Sequence, residues 1–111
     1  MKRSEFWFLR VLLDRDVAML YGFETKHINQ ALKNNPGKFP SGYVFELDES
    51  EKYELVKNFD RFNLLKHSAV MPTAFTEKGL YMLATILKSP QAVITTIAII
   101  DTYTMTRQLW R

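Results

Sequence analysis

Apolar and polar positions along this chain follow two rhythms. "EFWFLRVLL", Glu5 to Leu13, is dense in aromatic and branched residues and predicts a strand. The spacing then turns helical. Val17, Ala18, Leu20 and Tyr21 fall at one-turn intervals, with Asp14 or Asp16 as the cap. Gly22 interrupts this pattern. A second helix follows from about Thr25 to Asn34, with Ile28, Ala31, Leu32 and Asn35 as its apolar stripe. "NNPGKFPSG" is turn-forming, and Asn34 and Asn35 end the helix before it. "YVFEL" predicts a short strand. Asp48, followed by Glu49 and Glu51, opens a helix to about Asn58, its acids favourably placed at the N-terminus. "FDRFNLLKHSAVMP" predicts an irregular stretch and then an extended piece at Ser68 to Met71, before Pro72. Thr76 caps a helix through about Leu87. Ser89 caps the last one, with Pro90 at its first position.

The segment "DVAMLYGFETKHINQAL" is the most informative. Ala18 is small where two helices would cross, Gly22 permits a positive φ at the corner, and Phe23 is an apolar plug just after it. Ile28 anchors the second helix. This is the pattern of a tight helix-turn-helix. The other face of the second helix holds Thr25, Lys26, His27, Gln30, Lys33 and Asn34, all polar and none acidic. Glu24 stands at the helix start, where it serves the dipole. Gln, Asn and Lys can donate to base edges in a major groove, and Lys and Thr can reach phosphates. Asn29 lies between the two faces, and its amide is expected to bind the protein's own backbone.

Gly79 inside the fourth predicted helix implies close approach of another element. That helix reads as core, with Leu80, Leu83, Ala84 and Leu87 on one face. The last helix is apolar nearly all round, through Val93, Ile94, Ile97, Ala98, Ile99, Ile100 and Tyr103. Such a helix must be covered on more than one side, by the domain's own core or by self-association through 90–111.

Composition sets the outer bounds. A chain of 111 residues with 47% hydrophobic and 24% charged residues suits one globular domain with a modest core. There is no Cys, which removes disulfides, thiolate metal ligands and a thiol nucleophile, and fits a reducing cytoplasm. No signal peptide is visible, and the longest apolar run, Ala92 to Ile100, is far short of the ~20 residues of a spanning helix. The net charge of +3 is segregated. Residues 1–45 carry +3, residues 46–60 carry −4 and residues 61–111 carry +4, a layout that suits a polyanionic partner.

Catalytic constellations are weak. His27 and His67 are the only histidines, and neither neighbours a glycine-flanked Ser. The acidic groups Asp14, Asp16, Glu24 and Glu46, Asp48, Glu49, Glu51 are explained by helix starts. None of the four glycines forms a phosphate-binding loop. An enzyme is not expected, nor is any cofactor, metal or small-molecule substrate.

"LLDRDVAMLYGFETKHINQALKNNPGKFPSGYVFEL" resembles the start of the ORF-six-N domain, a phage and prophage DNA-binding module related to the KilA-N group. "PTAFTEKGLYMLATILKSPQAVITTIAIIDTY" is similar to that family's second half, so the resemblance runs from about Leu12 to Tyr103. It implies a DNA-binding domain of the kind found at the N-terminus of phage antirepressors and regulators, ahead of a variable partner domain. The DNA-facing positions it implies lie in "ETKHINQALKNN". One departure is plain. Many members carry an Arg-Gly-Gly type basic loop between the halves, whereas "DRFNLLKHSAVMP" offers only Arg61, Lys66 and His67.

The expected architecture is an α+β single domain over 1–111. It holds a helix-turn-helix pair, a small sheet from the Phe6, Val44 and Val70 regions, and two C-terminal helices. The expected function is sequence-specific binding of double-stranded DNA in the bacterial cytoplasm, as a prophage-type transcriptional regulator or antirepressor. Lys26 and Gln30 are the expected base readers, His27 and Asn34 flank them, and Thr25, Lys33, Lys38 and Arg15 hold phosphates. A homodimer through the last helix is the expected assembly. The alternative is a protein-interaction module that binds a repressor or other regulator, in which the polar face and the C-terminal helix meet protein.

Overall fold

The computed structural model describes residues 10–109, and side chains as far as residue 102. Three short strands, β1 (Leu12–Leu13), β2 (Val44–Glu46) and β3 (Thr73–Phe75), form an antiparallel sheet in the order β1-β3-β2. Around it lie α1 (Asp14–Tyr21), α2 (Thr25–Asn34), α3 (Glu49–Asn58), α4 (Glu77–Leu87) and α5 (Pro90–Leu109). Helix outweighs strand, and the class is α+β, as the hydrophobic pattern predicts. No helix among the described residues is long and apolar enough to cross a membrane.

The sheet separates two apolar clusters. Strand side chains alternate between faces, so Leu12, Val44 and Phe75 join Val17, Tyr21, Ile28, Leu80 and Leu83 on one side. Leu13, Phe45 and Ala74 join Leu47, Leu55, Phe62 and Leu65 on the other. A sheet buried on both faces is written as runs rather than alternation, and "LL", "VF" and "AF" are such runs. Helices α1, α2, α4 and α5 cover the first face, and α3 covers the second.

Two expectations for the sheet need correction. The third strand is Thr73–Phe75, after Pro72, and not Ser68 to Met71. Val70 is 74% exposed, while Ala74 and Phe75 are fully buried. Proline has no N–H to give a ladder, so it precedes the strand and contributes its carbonyl to the Leu47 N–H at 3.0 Å. The strand predicted from Glu5 is seen only as Leu12–Leu13, and Phe6 lies outside the described residues. The stretch predicted as irregular contains a 3-10 helix, Asp60–His67, which buries Phe62 and Leu65 one turn apart.

The predicted caps are largely present. Asp48 and Glu51 form a reciprocal capping box on α3. The Gly79 N–H donates to Thr76 Oγ1 at the start of α4, and the Ala92 N–H donates to Ser89 Oγ at the start of α5. Asn35 ends α2, its amide donating to the Ala31 carbonyl at 2.9 Å. Asp14 and Asp16 do not cap α1. They sit inside its first turn, and both are buried.

Helix α5 is fixed to α1 through a buried polar relay. The Thr96 hydroxyl donates to the Ala92 carbonyl at 2.7 Å, so the Tyr21 hydroxyl is the donor in its short contact with Thr96 Oγ1. Burial pushes the Tyr21 hydroxyl above its ordinary pKa range.

Candidate nucleic-acid interface

Helices α1 and α2 meet through the corner Gly22–Glu24. Gly22 has φ of 78°, a left-handed conformation that closes α1, and the Phe23 N–H returns to the Ala18 carbonyl at 2.9 Å. Glu24 accepts from the His27 and Ile28 N–H groups and so starts α2 through its backbone. Ala18 is buried where the helices cross, and Phe23 is half-buried at the corner. Ile28 is completely buried, with Ala31 and Leu32 half-buried beside it.

That anchoring turns the opposite face outward. Thr25, Lys26, His27, Gln30, Lys33 and Asn34 are all exposed. At 100° per residue they cover one continuous side of the helix. No acid lies within α2. Lys26 reaches back to Glu24 at 3.6 Å, but both side chains are largely solvated, so this pair is easily exchanged for another anion. The His27 ring stands edge-on to Phe23, with centroids 6.3 Å apart. The Gln30 amide donates to Asn34 Oδ1 at 3.0 Å, which holds the two side chains along the helix axis. Lys38 is exposed in the 3-10 turn Pro36–Lys38 that follows.

Arg15 does not join this face by any contact among the described residues. It is half-buried, and its guanidinium lies 5.9 Å from the Phe62 ring centroid. Arg61 stacks closer on the same ring, at 4.0 Å, and donates to Asp16 at 2.9 Å. Of the basic residues in "DRFNLLKHSAVMP", Arg61 is therefore engaged within the fold, while Lys66 and His67 are exposed.

The expected partner of Asn29 is also corrected. Its amide donates to the Asp14 carboxylate at 3.1 Å and not to backbone. Asp14 is buried, and an acceptor-only carboxylate there needs donors. The two acids of α1 thus divide their work: Asp14 holds α2, and Asp16 holds the 3-10 helix. Acids two residues apart at a helix start were the visible signal, but capping explained them equally well in the sequence. Asn29→Asp should destabilise the fold by about 2 kcal/mol at neutral pH by setting two carboxylates together. Sharing a site raises the pair's native pKa above the unfolded ~3.9, so the loss grows as pH rises through the native value and shrinks near pH 4. Urea unfolding at pH 7 and pH 4 would show the deficit narrowing. An equal deficit at both values would contradict the contact.

The arrangement defines a class: a small α+β domain whose helix-turn-helix pair holds an acid-free polar helix face out to solvent. The chain belongs to the ORF6N domain family, whose model matches residues 4–86. The match ends in the last turn of α4 and leaves α5 beyond it. No curated protein and no solved structure matches the chain.

Proposed function

We propose that this domain binds double-stranded DNA sequence-specifically, as a prophage-type regulator or antirepressor, with α2 entering the major groove. Family membership supports the coarser statement, a phage-type regulatory domain. The finer reading rests on one observation. Ile28 is fully buried while Thr25, Lys26, His27, Gln30, Lys33 and Asn34 all stand exposed on an acid-free face. In this reading Lys26 and Gln30 donate to base edges, with His27 and Asn34 beside them, and Thr25, Lys33 and Lys38 meet phosphates. Arg15, half-buried near Phe62, is a further candidate for a phosphate contact.

Fluorescence anisotropy with a random-sequence duplex, titrated at several salt concentrations, tests the proposal. Two to three phosphate-bound cations predict a log–log salt slope of about −2 to −3. The Lys26→Ala/Gln30→Ala/Lys33→Ala variant, folded by circular dichroism, should bind at least about tenfold more weakly. Selection for a preferred site would follow. No binding at low salt by either folded protein would overturn the DNA reading and turn attention to a protein partner, whose apolar interface would respond little to salt.

A further inference from the structure

Helix α5 presents an apolar row to solvent. Val93, Ile94, Ile97 and Ala98 are all exposed, Ile94 at 64% and Ile97 at 48%. They repeat at one-turn spacing opposite the buried Ala92 and Thr96, which face the core. The row is thus an outward seam and not the far side of a filled core. It lies beyond residues 4–86, which the family model matches.

Among the described side chains of α5 and its link to α4, charge stands at the two ends of this row. Asp101 is the only charged residue of α5 within 90–102, and it lies on the line of Ile94, seven residues on. Lys88 is exposed at the other end, in the left-handed link between α4 and α5. Lys88 lies two residues before Pro90, where α5 begins. The midpoint of the apolar row falls between residues 95 and 96, and the midpoint of the two charges between 94 and 95. These centres differ by one residue in sequence.

We propose that two copies of this chain associate through α5, with the helices antiparallel about a two-fold axis near Thr95. A two-fold axis makes every contact occur twice. In this orientation Ile94 and Ile97 of each copy cover those of the other, and Lys88 of each copy meets Asp101 of the other. A parallel pair would instead set Asp101 against Asp101 and Lys88 against Lys88. The apolar row therefore supplies the association, and the end charges choose its direction. The inference does not depend on DNA binding.

Sedimentation equilibrium of the whole chain, without DNA and at low salt, tests it. The wild type should approach twice the 13.0 kDa chain mass as concentration rises. Ile97→Glu changes a residue already half in water, so it should leave the fold intact and weaken association at least tenfold. Asp101→Lys should weaken it by about tenfold. Lys88→Asp/Asp101→Lys reverses both charges and should return it to within about twofold of wild type; aspartate also tolerates the left-handed backbone at 88. A wild type that stays monomeric, or a dimer indifferent to Ile97→Glu, would overturn the proposed surface. A dimer weakened further by the double reversal would overturn the antiparallel arrangement.

Discussion

Gly79→Ala is expected to lower the unfolding free energy by about 2–4 kcal/mol, although alanine is the better helix former by ~1 kcal/mol. Gly79 is buried in the first turn of α4, where the helix crosses the end of β2. A Cβ there would stand 2.1 Å from the Tyr43 carbonyl oxygen, 3.0 Å from its carbon and 3.2 Å from Val44 Cγ1. The obstacle is backbone, so no side-chain rotation relieves it. Nor is that carbonyl free to withdraw. It accepts from the Thr76 N–H at 3.1 Å, and the Thr76 hydroxyl is shared between it, at 2.9 Å, and the Gly42 carbonyl, at 2.7 Å, which ties the start of α4 to the approach of β2. Relief requires α4 to move off the sheet, which opens the cluster around Phe75 and Leu80. Urea unfolding followed by circular dichroism gives the change directly. A midpoint equal to wild type or above it would show that α4 and the Tyr43 backbone do not approach as described.

Ile28→Ala should cost about 2–4 kcal/mol, by lost burial and by the cavity left behind. Ile28 is the one fully buried side chain of α2, packed in the cluster with Val17, Tyr21 and Phe75. Ala31 and Leu32 are only half-buried and cannot replace it. The loss should therefore fall on the attachment of α2 as well as on global stability. Hydrogen exchange would show protection lost first at α2 amides, beyond the shift common to the whole domain. Lys26→Ala and Lys33→Ala, on the opposite face, should change stability by less than about 0.5 kcal/mol. A uniform exchange response, or an equal cost on both faces, would contradict the anchoring of α2 through Ile28. This contrast also matters for the DNA proposal. Binding lost in the polar variants with stability intact separates recognition from folding.

The sequence by itself determined the helices and the turn between α1 and α2. Their signals are local: a one-turn apolar spacing, a cap at Thr76, Ser89 or Asp48, and a glycine at the corner. Each is satisfied by residues within four positions, so no distant partner is needed to read it. The two faces of α2 followed from the same period, and Gly79 announced a crowded contact because helix interiors otherwise disfavour glycine. What only the tertiary structure decided involves partners far apart in the chain. Ser68 to Met71 and Thr73–Phe75 are both short apolar stretches beside Pro72, and pairing with both Leu12–Leu13 and Val44–Glu46 selects the second. Asp14 and Asp16 look like caps until Asn29 and Arg61 arrive from other elements. That the Arg15 guanidinium lies 5.9 Å from the Phe62 ring centroid is likewise set by packing. A carboxylate, a guanidinium or a three-residue strand takes the partner that packing brings near, and packing is a property of the whole chain.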